Sequence, residues 1–239
     1  MGTWLTSLDP TVAELLAGSG YDFLVVDMEH GVADAADLQR LCIGARAGGA
    51  AVLARIGAND PVRIMHALDV GAAGVIVPQI RGVADAERAV AWCRYPPVGM
   101  RGAAARRPSD YGRRTKDYFA SANATVLCCV QIETSEALEA LEELLAVAGV
   151  DALLIGPNDL AAALGHLGDA GHPDVEGAIT QIRERAVAAG MPVGFVSASP
   201  DPMPALARRR QGFSFVTVGV DFAFLATGAD AALAALREA

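Results

Sequence analysis

The segment VVDMEHG, Val25 to Gly31, joins a β-branched apolar run to three ionisable side chains, Asp27, Glu29 and His30. The run reads as a buried strand, since a strand covered on both faces carries consecutive apolar residues. Charge placed where such a strand leaves its core has a geometric explanation in one group of folds. In parallel α/β proteins the C-terminal ends of the strands open onto a common surface, where catalytic side chains collect. The segment therefore raises the question of whether other strands end in the same way.

Further apolar runs appear at Thr3–Leu8, Asp22–Asp27, Ala51–Ile56, Gly74–Val77, Thr125–Ile132, Ala152–Ile155, Val193–Val196 and Phe213–Val220. Between them lie Ala- and Leu-rich segments with helical spacing, including Ala33–Arg46, Pro61–Leu68, Glu136–Val147, Val175–Ala189 and Ala223–Arg237. This alternation, with no compositional break to mark a linker, predicts a single (β/α)8 barrel, a TIM barrel, spanning residues 1–239. A doubly wound open sheet is the alternative, but no G-x-G-x-x-G follows its first strand. The insert from Arg94 to Arg114 opens with YPPVGMRG and reads as a rigid surface loop.

Polar residues gather at the predicted strand ends. Glu29 and His30 follow the second strand, Arg55 ends the third and Gln79 follows the fourth; Gln131 and Glu133 end the fifth, and Asn158 and Asp159 follow the sixth. Each has a structural explanation as well. Glu133 could favour the positive end of a helix, and Asn158 or Asp159 could cap one. Arg55 could be a structural ion-pair partner and His30 a packed imidazole. Their shared position favours a site, and two carboxylates on neighbouring strand ends supply hard oxygen ligands suited to Mg²⁺ or Mn²⁺.

Composition narrows the class of partner. A net charge of −9 argues against a nucleic-acid surface, and 53% apolar residues support a large aliphatic core. No apolar stretch approaches the roughly 20 residues of a membrane span, and the N-terminus lacks the pattern of a signal segment. The expectation is a cytoplasmic protein acting on a small molecule, with no nucleic-acid or membrane partner. Cys42, Cys93, Cys128 and Cys129 lack paired C-x-x-C spacing and read as buried thiols, with Cys128 and Cys129 on opposite faces of a strand. Lys116 is the single lysine; it sits in GRRTKDYF, read as a solvated loop, so an imine mechanism has no well-placed amine.

In the order VVDMEHG, ARIGANDPVRIMHALDVGAAGVIVPQI, RYPPVGMRG, VQIET and IGPNDL, the chain resembles the metal-dependent pyruvate aldolases of the HpcH/HpaI family from about Gly2 to Leu225. The resemblance implies a lyase that reversibly cleaves a 4-hydroxy-2-oxo acid to pyruvate, or another 2-oxo acid, and an aldehyde. It implies His30 as general acid/base, Asp69 of LDVG as the residue raising its basicity, and Arg55 as stabiliser of the enolate oxygen. Glu133 and Asp159 would hold a divalent metal, Mg²⁺, Mn²⁺ or Co²⁺, while Gln131 and the backbone around Asn158 and Asp159 would contact the pyruvyl unit. It further implies a homohexamer, a trimer of dimers, with an exchanged C-terminal helix. Members usually carry a helical segment before the first strand, and residues 101–117 match poorly. The acyl-CoA lyases related to the citrate lyase beta subunit or malyl-CoA lyase are the second enzyme class, and a non-catalytic barrel that binds a 2-oxo acid is the third reading.

Overall fold

In the computed structural model, which describes residues 1–238, the apolar runs form eight parallel strands. These are β1 (Gly2–Leu5), β2 (Phe23–Asp27), β3 (Ala51–Arg55), β4 (Gly74–Val77), β5 (Leu127–Ile132), β6 (Ala152–Ile155), β7 (Val193–Phe195) and β8 (Phe215–Val220). Each pairs with its sequence neighbour, and β1 also pairs with β8, which closes the barrel and leaves no edge. That closure excludes the open doubly wound sheet. The first strand is shorter than its sequence suggests, because the amides of Thr6 and Ser7 leave the ladder and donate to the Asp221 carboxylate at 3.0 and 2.6 Å.

The connecting helices are α1 (Pro10–Gly18), α2 (Ala35–Gly48), α3 (Pro61–Asp69), α4 (Val83–Cys93), α5 (Thr115–Thr125), α6 (Ser135–Glu139), α7 (Leu141–Leu145), α8 (Pro157–Ala163), α9 (Pro173–Ala188), α10 (Pro202–Arg210) and α11 (Asp221–Glu238). Their starts are written in the sequence. Asp9, Asp34, Asp60, Thr134 and Asp201 accept hydrogen bonds from first-turn amides, and α1, α3, α8, α9 and α10 begin with proline. The segment Glu136–Val147, read as one helix, divides where Ala140 adopts φ −89° and ψ 17°. Neither Asn158 nor Asp159 is a cap, since Gly156 holds that position and both lie inside α8. Gly44 in α2 meets the Pro10 carbonyl so closely that a Cβ would collide with it, which explains the tight α1–α2 crossing.

The insert after α4 lies largely at the surface, as read from sequence, and is anchored by a few buried side chains. Arg94 is buried and donates to the Val126 carbonyl at 2.6 Å and to Asp151 at 2.7 Å, while Tyr95 and Asn123 exchange two hydrogen bonds of 2.7 and 3.0 Å. Lys116 lies on α5 rather than in a loop, and it is exposed.

Two apolar shells surround the strands. The barrel interior holds Trp4, Val25, Leu53, Ile76, Cys129, Leu154 and Val220, whereas Leu24, Val26, Val75, Cys128 and Val130 face the helices. Cys128 and Cys129 thus occupy opposite faces, and all four cysteines are buried and unpaired. Strand alternation then fixes what the mouth contains: two residues beyond Val25, Leu53 and Cys129 are Asp27, Arg55 and Gln131, so these point into the same lumen. Among the described residues no helix is long and apolar enough to cross a membrane.

Asp221 ties the end of β8 to the residues after β1, accepting from the Thr6 amide and hydroxyl and from the Ser7 amide. Asp221→Ala should lower stability by about 2–3 kcal/mol, since part-buried donors lose a charged acceptor. A lower urea midpoint at unchanged slope would register this. An unchanged midpoint would show that barrel closure does not depend on this carboxylate.

Candidate active site

Asp27 and Arg55 are adjacent in the β2–β3 register and form a two-pronged ion pair. Arg55 donates from Nε to Oδ1 at 3.0 Å and from Nη2 to Oδ2 at 2.7 Å. Its guanidinium lies 4.5 Å from the Trp4 ring centroid, and Trp4 is itself fixed by a 2.9 Å bond from Nε1 to Thr217 Oγ1. Burial acts to raise the Asp27 pKa, but the hydrogen bonds and charge of Arg55 outweigh it and hold the carboxyl below its ordinary value. The same Oδ1 accepts the amides of Glu29 and His30 at 3.1 and 3.2 Å, so the turn carrying His30 is tied to this pair. Glu29 Oε2 lies 3.3 Å from Arg55 Nη1, yet makes no hydrogen bond. Burial raises the Glu29 pKa despite that neighbour.

A second group stands across the mouth. Glu133 is 1% exposed, and its Oε1 accepts from the Gln79 amide at 2.8 Å and from Gln79 Nε2 at 3.2 Å, while Oε2 accepts from Gln131 Nε2. Gln79 adopts φ 55°, a left-handed conformation uncommon for a residue other than glycine, and this turns its amide toward Glu133. Burial pushes the Glu133 pKa up to about 7; the Gln79 bond opposes the shift, and the charges of Glu29 and Asp159 add to it. Asp159, in the first turn of α8, lines the cleft beside Glu133 and Gln79.

The fold brings most of the sequence-predicted residues together. His30, Arg55, Gln131, Asn158 and Asp159 line one cleft of about 360 Å³, with Trp4, Asp27, Val196, Ala198 and Phe222 completing its walls. The His30 side chain is 63% exposed and projects to solvent, which excludes the packed-core reading. Asp69 is different. Helix α3 runs back from the end of β3 toward the start of β4, so it carries Asp69 away from the mouth. There Arg101 donates to it at 2.7 Å, and the residue lines a separate cleft with His66 and Gly102. A His30–Asp69 pair does not form within one chain. The sequence places Gln79 at a strand end without a role and assigns none to Asp27; the alternation Val25, Asp27 points the second inward, whereas the positive φ at Gln79 leaves no sequence signal.

A divalent cation suits this arrangement on two observations. The charges of Glu29 and Asp159 raise the Glu133 pKa, and that of Asp159 raises the Glu29 pKa, which a cation among them would relieve. Gly156 leaves open the space beside Glu133 Oε2 and Gln131 that a Cβ would fill, and Gln131 Oε1 is buried without a partner. Oxygen donors of this kind match Mg²⁺ or Mn²⁺ with waters completing the shell.

Cation binding at Glu133 needs the carboxylate, whereas the cation-free fold holds a proton there up to about pH 7. Binding below that pH must expel the proton, so Mn²⁺ affinity should fall roughly tenfold per unit as pH drops from about 7 toward 5 and flatten above it. Calorimetry across this range would measure it. PH-independent affinity would remove Glu133 from the ligand set.

The chain has counterparts among known proteins. Residues 1–227 match the family model HpcH/HpaI aldolase/citrate lyase. The chain is 42% identical over 238 residues to a 2-dehydro-3,6-dideoxy-6-sulfogluconate aldolase of Pseudomonas putida, covering 99% of this chain and 92% of that protein. It is 38% identical over 223 residues to the 5-keto-4-deoxy-D-glucarate aldolase of Escherichia coli O139:H28, covering 92% and 86%. The crystal structure of an HpcH/HpaI aldolase/citrate lyase family protein from Burkholderia cenocepacia J2315 superposes with a TM-score of 0.94 at 37% identity, over 99% of this chain and 93% of that one. With a family model matched along nearly its whole length and relatives of this identity, the chain belongs to the HpcH/HpaI aldolase/citrate lyase family.

Proposed function

We propose that the chain is a divalent-metal-dependent aldolase that reversibly cleaves a 4-hydroxy-2-oxo acid to pyruvate and an aldehyde, with His30, Arg55, Gln131, Glu133 and Asp159 carrying the chemistry. That it is an aldolase follows from the family and from the two aldolases it resembles at 38–42% identity. The observation that carries the mechanism is the division of the mouth, with a fixed guanidinium on one side and a buried, cation-seeking carboxylate on the other.

Glu133 and Asp159 would hold the cation, Mg²⁺, Mn²⁺ or Co²⁺. When bound, it would withdraw electron density from a 2-oxo acid and make its methyl protons removable near neutral pH. The chain's own residues supply the rest. First-turn amides of α8 at Asn158 and Asp159 have no intrahelical acceptor and suit a substrate carboxylate. Arg55, immobilised by Asp27 and Trp4, offers a positive charge to an enolate oxygen without reorganising. His30, exposed at the rim, moves a proton to or from the hydroxyl of the electrophile as the carbon–carbon bond breaks or forms.

The basicity role implied for Asp69 requires the carboxylate of a second copy, and the homo-oligomer is part of this proposal. Leu225, Leu233 and Leu236 are exposed on α11, as expected of a helix that packs on another subunit in an exchanged arrangement; Ala239, the last residue of that segment, lies outside the described residues. The hexamer is the part of the proposal that the resemblance supplies, and a cytoplasmic location the part that the sequence pattern supplies. Solved citrate lyase relatives at 18–20% identity share the fold alone, so an acyl-CoA lyase is the weaker alternative. Release of pyruvate from CoA-free hydroxy-oxo acids separates the two.

His30→Ala should reduce aldol cleavage by about 10²–10⁴-fold with Mn²⁺ affinity kept, the range for a lost general acid/base. A variant that lost the metal but kept turnover in excess Mn²⁺ would contradict the assignment.

EDTA should abolish activity and Mg²⁺, Mn²⁺ or Co²⁺ restore it, while borohydride with pyruvate should trap no adduct. Mass spectrometry that found a pyruvyl group on Lys116 would overturn the metal mechanism.

A further inference from the structure

Outside the barrel mouth, the segment between α8 and α9 gathers His166, His172 and Asp174. Left-handed turns at Gly165 (φ 84°) and Gly168 (φ 88°) fold the chain back on itself, and Pro173 starts α9 immediately after His172. As a result the two imidazoles stack, with centroids 3.5 Å apart and 14° between their planes. His166 Nε2 lies 3.0 Å from Asp174 Oδ2, and His172 Nδ1 lies 3.6 Å from the same oxygen. One donor atom from each residue falls within 4.8 Å of the others.

We propose that His166, His172 and Asp174 form a second cation site that takes a divalent transition ion of the Zn²⁺ type. Two imidazoles and one carboxylate form a donor set that prefers Zn²⁺ over Mg²⁺, whereas the carboxylates and amides of the mouth offer only oxygen. Ligands about 2.0–2.2 Å from zinc stand roughly 3–3.5 Å apart, and the 3.0 Å separation of His166 Nε2 and Asp174 Oδ2 already falls in this range, while His172 must turn to bring in its ligating nitrogen. Lone pairs in nearly parallel ring planes do not converge, so the stack must open and at least one ring must rotate for both to ligate one ion. Side-chain exposures of 25% and 33% leave the imidazoles room to turn. His172 Nδ1 accepts the Asp174 amide at 3.2 Å and caps α9, so its Nε2 is the nitrogen free to ligate. The positive end of α9 opposes a cation, and Asp174 in its first turn offsets that charge. Solvent supplies the remaining ligand.

The test uses Zn²⁺ alone, added to the chelator-stripped full-length protein. Calorimetry should find one more zinc equivalent per chain in the wild type than in His166→Ala, a variant that leaves the His172 cap in place. Asp174→Asn should lose the same equivalent, which keeps the reading available if His166→Ala folds poorly. Both variants should retain Mn²⁺-dependent activity. Zinc bound to Glu133→Ala should give imidazole scattering in X-ray absorption spectra that is lost when His166→Ala is added, which separates this site from the His30 imidazole at the mouth. Unchanged zinc stoichiometry in both loop variants, or bound zinc in Glu133→Ala without imidazole scattering, would overturn the assignment.

Discussion

The two-pronged contact between Asp27 and Arg55 sets the geometry of the mouth. One carboxylate holds the guanidinium in a fixed plane above Trp4 and, through Oδ1, also anchors the amides of Glu29 and His30. The guanidinium charge at the mouth and the turn bearing the rim histidine are therefore positioned by the same group. A buried ion pair is weak evidence for stability, since desolvating both partners costs about as much as their attraction returns. Its value here is orientation. Trp4 extends the constraint around the barrel, because its indole donates to Thr217 and so links the floor under Arg55 to β8.

That commitment leaves the other half of the mouth short of positive charge. Arg55 is engaged by Asp27 and approached by Glu29, while Glu133 is held only by the neutral amides of Gln79 and Gln131. Neutral donors orient a carboxylate without compensating its charge, so burial prevails and the Glu133 pKa rises to about 7. A buried acid with its lone pairs ordered and its charge unbalanced is a poor structural element, but a suitable ligand for a divalent ion. Gly156 belongs to the same design, since any side chain there would occupy the space in front of Glu133 and Gln131.

Residues whose positions follow from strand parity were legible in the sequence. Val25 and Asp27, Leu53 and Arg55, and Cys129 and Gln131 differ by two along their strands, so an inward apolar residue announces an inward polar one at the mouth. The helix starts were legible too, through their aspartates and prolines. Tertiary consequences were not. The course of α3 separates Asp69 from His30, and the long-range bonds of Arg94 and Arg101 supply anchors for the surface loop that local pattern does not show. Local pattern also had no means of revealing the positive φ at Gln79, which depends on a glutamate 54 residues away.

The division between strand ends and loops also bears on what such a site can change. Asp27, Arg55 and Gln131 are fixed by a register in which each strand is held by two neighbours, so moving one displaces the interior layer beneath it. The outer wall has no such restraint. Phe222, in the first turn of α11, and Ala198, in the loop after β7, are exposed, so their side chains can vary in size without repacking the barrel, whereas Val196 packs against its interior. Chemistry held by strands and shape held by loops allow one half of a reaction to stay constant while the other is exchanged. The two relatives, one named for a sulfogluconate and the other for a deoxyglucarate, differ in the compound they cleave while sharing the term aldolase. Under the proposed aldolase reaction, a change of electrophile would accordingly be accommodated at the wall formed by Ala198 and Phe222 rather than in the Asp27–Arg55 frame.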